Sequence, residues 1–448
     1  MVGLAIAEFV SKTGWDAVPA AAAAAAKRAV LDTIGVTLAG SVEPPAAILR
    51  GLAEVEGGTP LCTVIGTPLR TGAVWAALVN GAAAHALDFD DTNFAMMGHP
   101  SAPVLMAALA AGEAAAATGR GLLLAFLIGF EVEVALGEAV NPSHYERGWH
   151  ATGTLGALGA AAAAAKLLEL DPAATLTALG IAASQASGLK ENFGTMTKPF
   201  HAGHAARSGV LAALLARDGF TASASALDGA QGFLALARDA RGGAVGELGA
   251  PWRILSTGVA VKPYPCCAMT HSAIDALLDL RREHGIQGDD VAGVEVEVSP
   301  IVPTVLLHPS PSTGLEAKFS MEYCSATALA RGRIGVEAFD DAAVQDPEIR
   351  GLMRRVTMRV IPEGVNTGTG SAHSDVRVTL RDGRVVTRPA RGARGHPDAP
   401  LTDAELRAKF ESCAARVLPA ARIETIAEIL ASLEGCPDVR TLTSLLQP

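Results

Sequence analysis

Through the first 255 or so residues, apolar side chains recur at helical spacing and the chain reads as helix almost throughout. Pro19 to Ala39 forms one segment with Lys27, Arg28 and Asp32 on its polar side, stopped by Gly40. Gly72 to Ala84 carries no charge and reads as a buried helix. Ala102–Thr118, Leu122–Val140 and Leu155–Leu170 follow, separated by Gly, Asn-Pro and Asp-Pro breaks. The Ala-rich tracts are high-propensity helix, because Leu, Val and Ile flank them at helical spacing. After about Val259 the period changes. Val294, Val296 and Val298 alternate with Glu295 and Glu297, and Val356, Met358 and Val360 alternate again. Val376, Val378 and Leu380 run into Asp382-Gly383 and return at Val385, which predicts a hairpin. Leu315–Arg331 reads as a helix between strands. From Thr402 the helical period returns behind a capping-box sequence, Thr402 to Glu405. The pattern predicts a mainly α protein. A large all-helical domain covers 1–259, a smaller α+β lid domain covers 260–400, and C-terminal helices over 401–448 return to the helical domain.

The net charge of −10, with no basic run, argues against nucleic acid as a partner. Gly121–Phe130 is uncharged but is followed at once by Glu131 and Glu133, too short a stretch to span a bilayer. No membrane partner is expected. Six cysteines without metal-finger spacing read as reduced thiols, and no signal peptide is evident, so a cytoplasmic location is expected.

The polar chemistry is concentrated in a few stretches. His85–Val104 is an island of carboxylates and histidines between apolar helices. Asp88 and Thr92, four apart, share a face if the first helix continues. Ser101 stands where the next helix expects its N-cap, which puts His99 beside free N–H groups that favour an anion. Asp88, Asp90 and Asp91 could hold Mg²⁺, but no second oxygen-rich motif supports that, and no metal is expected. His150 precedes a Gly-flanked helix start. Lys198, before Pro199, is expected to project from a loop as a carboxylate clamp, whereas His201 and His204 read as an ordinary polar helix face. Lys262, in a proline-rich stretch with Cys266-Cys267, falls at the domain junction, where small-molecule sites are common. Tyr323 could donate a proton across that junction or simply pack. No GxGxxG, Walker or GxSxG motif is present, so no cofactor is expected.

HALDFDDT with HPSAPVL, then RGWHATGT, TKPFHAGHAARSG, KPYPCCAMTH and KFSMEYC occur in this order over essentially the whole chain. Together they resemble the MmgE/PrpD family, which includes 2-methylcitrate dehydratases, cis-aconitate decarboxylases and iminodisuccinate epimerases. The resemblance implies a helical domain with an α+β lid inserted before the last helices, a homodimer and no required cofactor. It places the site on Asp88, Thr92, His99, His150, Lys198, Lys262 and Tyr323, and it departs from the decarboxylase pattern at Cys267, where that branch has a His.

All three reactions handle a proton beside a carboxylate, so cations must meet the carboxylate oxygens and an acid or base must reach the carbon. Lys198 and Lys262 are the expected clamps, with Lys262 at the hinge of the lid facing Lys198 and His99. His99 and His150 are the expected base and acid, Asp88 orients a histidine, and Thr92 and Tyr323 supply hydrogen bonds. Cys267 is a further catalytic candidate. The expected activity is a cofactor-independent lyase acting on a small anionic di- or tricarboxylate. An epimerase or isomerase of an imino- or amino-dicarboxylate is the alternative within enzymes, and a non-catalytic helical dimer is the alternative outside them.

Overall fold

The computed structural model describes residues 1–237, 245–361, 374–390 and 392–448. The chain is mainly α-helical, with a smaller α+β part. It divides into two compact units. The first comprises Met1–Glu191, Thr197–Ala260 and Thr402–Pro448, and the second Asn192–Met196 and Val261–Leu401.

Six helices of the first unit matter here: α1 (Ala20–Gly40), α2 (Ala73–His85), α3 (Ser101–Ala115), α4 (Gly119–Val140), α5 (Ala151–Leu167) and α6 (Thr197–Arg217). Small residues let these helices approach closely. A Cβ on Gly81 of α2 would stand 2.7 Å from the Cα of Gly203 on α6, and one on Gly203 would stand 2.2 Å from the Leu78 carbonyl oxygen. This crossing holds the end of α2, at His85, against the first turns of α6. The helix Asp403–Ala414 starts with the expected capping box, Thr402 and Glu405 exchanging hydrogen bonds. It also changes the reading of α1. Asp32 is not on a solvated face but buried, with Lys409 Nζ 2.6 Å from its Oδ1.

Three helix boundaries differ from expectation. Lys198 lies in the first turn of α6 rather than in a loop, because Pro199 falls where a missing N–H breaks no helical bond. Ser101 is the first residue of α3, not its cap, and its hydroxyl donates to Asp91. α2 ends at His85, so Asp88 and Thr92 do not share a helical face.

In the second unit, β1 (Val291–Val298) pairs parallel with β2 (Val356–Val360) and antiparallel with β3 (Ser374–Leu380). β3 pairs in turn with β4 (Val385–Ala390) in the hairpin turned by Asp382-Gly383, giving the order β2-β1-β3-β4. Gly383 takes φ 88°, the left-handed conformation this turn requires. α7 (His271–His284) packs on β3 and β4. The expected helix Leu315–Arg331 is interrupted. A single turn, Gly314–Ala317, precedes α8 (Met321–Arg331), whose cap is Ser320, accepting from the Tyr323 N–H at 3.1 Å.

Candidate active site

In the first unit, four chain segments bring their polar residues to one place. α2 is apolar to its last residue, where His85 is fully buried. Asp88 then turns the chain at φ 51°, a left-handed conformation that Asp tolerates better than most residues and that often marks functional sites. The strand-like pairing of Thr92 with Ala260 (N–H to O at 2.9 and 2.8 Å) fixes the next stretch. The His99 N–H donates to Thr152 Oγ1 of α5 at 3.0 Å. His150 occupies the cap position of α5, and its N–H donates to the Gly188 carbonyl.

Lys198 is the centre of the cluster. Its Nζ lies 2.5 Å from Asp88 Oδ1 and 2.7 Å from His85 Nε2. The other ring nitrogen of His85 lies 2.8 Å from Asp90 Oδ2. Since an ammonium only donates and a carboxylate only accepts, His85 carries its proton on Nδ1 and accepts at Nε2. His99 stands over the same carboxylates, Nδ1 3.3 Å from Asp90 and Nε2 3.7 Å from Asp88. His150 is stacked near His85, with ring centroids 5.6 Å apart, and its Nδ1 is 3.0 Å from His201 Nδ1. The buried Thr92 hydroxyl has no hydrogen-bond partner among the described residues, so it can serve a bound molecule.

Burial governs the charges. It pushes His85 down to about 4, Asp90 pulling the other way and Lys198 reinforcing the drop. His201 is likewise brought to about 4 by burial, with His85 and Lys198 adding to it. Burial, Lys198 and His201 hold His150 well below the usual imidazole range, so it is neutral and able to accept a proton. Burial alone would raise Asp90, but His85 and His99 outweigh it and keep the carboxyl ionised. Behind the cluster, Asp91 is pushed up to about 8 by burial and by Asp32 and Asp90, against the hydrogen bond from Ser101.

His85, Asp88, Asp90 and His99 each bring a potential ligand atom within 4.8 Å of the others, a grouping that could hold a metal ion. The donor set fits an ammonium better. Both ring nitrogens of His85 are engaged, one with Asp90 and one with Lys198, and Asp88 is in contact with the same Nζ. The cation these groups surround is Lys198.

The cluster brings together Asp88, His99, His150 and Lys198 and adds three residues that sequence reasoning missed as site members: His85, Asp90 and His201. His201 is not on an ordinary polar face. It lies one turn after Lys198 on α6, and the i, i+3 spacing is the signal that a correctly placed helix start would have exposed.

Lys262, Cys267 and Tyr323 lie in the second unit. Lys262 is buried. The Cys267 N–H donates to the Lys318 carbonyl at 3.0 Å, and Lys318 Nζ donates to the Pro265 carbonyl at 3.2 Å. The Tyr323 hydroxyl donates to the Ala338 carbonyl, and its ring packs 5.8 Å from Phe339. Burial pushes this phenol up to about 12.

The MmgE/PrpD N-terminal domain matches residues 4–242, and the MmgE/PrpD C-terminal domain matches residues 264–434. The chain belongs to the MmgE/PrpD family. Similar members include the cis-aconitate decarboxylase of Homo sapiens, 32% identical over 432 residues that cover 94% of this chain and 89% of that protein. The cis-aconitate decarboxylase of Mus musculus is 31% identical, covering 94% of this chain and 88% of its own. That of Aspergillus terreus is 28% identical over 481 residues, covering 98% and 95%. The MmgE/PrpD N-terminal match contains the whole Lys198 cluster, from His85 to His201.

Proposed function

We propose that this chain is a lyase that removes carbon dioxide or water from a small tricarboxylate or dicarboxylate, with cis-aconitate as the first substrate to test. The observation that carries this reading is one buried cluster holding an ammonium, an imidazole beside two carboxylates and a second, neutral imidazole. Support comes from the similarity to cis-aconitate decarboxylases along nearly the full length of the chain.

Both reactions build negative charge next to a carboxylate, and Lys198 is the group that stabilises it. Thr92 offers a hydroxyl to the same ligand. His99, with Asp88 and Asp90 at 3.7 and 3.3 Å, serves as the proton donor. In decarboxylation of cis-aconitate, one carbon–carbon bond breaks and CO₂ departs. The electron pair left behind shifts through the adjacent double bond, and His99 delivers one proton to carbon. In dehydration, His150 takes the proton from the carbon beside the carboxylate and His99 protonates the departing hydroxide. The whole route runs without a cofactor.

The test is incubation of the purified protein with cis-aconitate, citrate-type acids and iminodisuccinate in D₂O, followed by NMR. The expected result is an unsaturated acid, with one deuterium on carbon where CO₂ is lost. Deuterium uptake without net conversion would move the assignment to an epimerase, and inertness toward all of these acids would overturn it.

A further inference from the structure

The Lys198 ammonium can serve a substrate carboxylate only if its direction is fixed, and the structure shows what fixes it. Asp90 is fully buried and in contact with His85 Nδ1 at 2.8 and 2.9 Å through its two oxygens. His85 presents its opposite edge to Lys198 Nζ at 2.7 Å. We propose that Asp90 and His85 form a positioning pair for Lys198: the carboxylate locks His85 in its Nδ1–H tautomer, and the Nε2 lone pair then holds the ammonium in line with Asp88. This rests on the reading of Lys198 as the carboxylate clamp.

The physical argument is one of hydrogen-bond polarity. In the chain Asp90···H–Nδ1, Nε2···H–Nζ, every donor meets an acceptor. Reversing the tautomer puts an N–H against an N–H at 2.7 Å, so the lysine must swing away or His85 must turn. Because the side chains of His85 and Asp90 are fully shielded from solvent, no bulk water relieves that clash. An isosteric change at Asp90, which never touches Lys198 directly, is therefore expected to disable the clamp.

Two measurements test this. The first needs no substrate and no variant enzyme's activity. Nitrogen-15 spectra of the full chain labelled at histidine, with His85 identified by its loss in His85→Asn, should show a protonated Nδ1 and an unprotonated Nε2 at neutral pH. In Asp90→Asn, whose amide can donate to Nδ1 as well as accept from it, the Nδ1–H form should no longer be the exclusive one. A wild-type His85 protonated at Nε2, or at both nitrogens, overturns the proposal outright. The second measurement uses cis-aconitate turnover. Gln at position 85 can place an oxygen where Nε2 was, whereas Asn reaches only the Asp90 side. His85→Gln should stay within about threefold of wild type in kcat/KM, while His85→Asn and Asp90→Asn should lose about 10- to 100-fold, the loss appearing in KM as well as kcat. In a Lys198→Met background, Asp90→Asn should cost nothing further, since the pair acts through that lysine. Equal losses in Gln and Asn variants, or full additivity with Lys198→Met, would show a merely structural role. If no carboxylate is turned over at all, the functional reading fails while the spectra still decide the tautomer.

Discussion

Glu133, on α4, is fully buried, and neither carboxylate oxygen has a hydrogen-bond partner among the described residues. Burial and the nearby Asp91 hold its carboxyl well above the ordinary carboxylic range. The folded chain therefore keeps this proton through neutral pH and the unfolded chain does not. Where the unfolded state binds fewer protons, stability falls as pH rises, by about 1.4 kcal/mol per pH unit for each proton. Asp91, at about 8 against an ordinary 3.8, adds a second such proton. The histidines act with the opposite sign. His85, His144 and His201 are brought to about 4 from 6.5, and His150 is also lowered, so the unfolded chain binds more protons below pH 6.5 and stability rises with pH up to that point. Above it the histidines are silent and the two carboxyls lower stability as pH rises, offset in part by Cys266, whose thiol is held well below its ordinary value, against burial, by its hydrogen bonds and His271.

Stability should thus peak near the ordinary histidine value. Between about pH 6.5 and 7.5 these two carboxyls should cost about 3 kcal/mol in the wild type, and roughly half of that in Glu133→Gln, where of the two only Asp91 remains. The assay is urea unfolding across this range, with hydrogen exchange of the α4 amides as the probe. That probe reports opening of the helix carrying Glu133 even if the two units unfold separately. An unchanged pH slope in Glu133→Gln would refute the argument, because it would mean Glu133 is ionised in the folded chain.

Two further outcomes follow from the site. His99→Gln should depress turnover of the true substrate by about 10²- to 10⁴-fold with little change in binding, as expected for a group that acts by proton transfer, and His150→Gln should do the same where the reaction is a dehydration; near-normal turnover in both would shift the chemistry to Asp88 or Cys267. Exhaustive chelation should leave activity unchanged, and loss with EDTA restored by Mg²⁺ would instead make His85, Asp88, Asp90 and His99 metal ligands.

The mainly α architecture with its smaller α+β part was legible because each element satisfies its own period. The uncharged run before His85, the alternating valines of β1 and β2 and the Asp382-Gly383 turn all carry local signals strong enough to stand alone. What misled was the ends of helices. Pro199 suggests a boundary when it is the third residue of α6, and Ser101 looks like a cap when its hydroxyl is drawn to Asp91. Asp32 carries the same lesson. Its charge belongs with Lys27 and Arg28 by helical spacing, yet Lys409, far away in sequence, buries it.

For the candidate site, sequence picked out some members of the cluster more readily than others. Asp88, His99, His150 and Lys198 stand out because a charged or titratable side chain in an apolar, Gly-flanked stretch has no packing reason to be there. His85, Asp90 and His201 had an available structural explanation each: a helix end, one of an acidic run, one of a polar pair. Only the close crossing at Gly81 and Gly203 removes those explanations, because it sets the last residue of α2 against the first turns of α6. Once it does, His85 cannot be a solvated helix end, since it lies between a buried carboxylate and a buried ammonium with both ring nitrogens engaged. Two glycines that bear no chemistry thus decide which histidine governs the lysine, and a Cβ at either would push apart the helices on which the cluster depends.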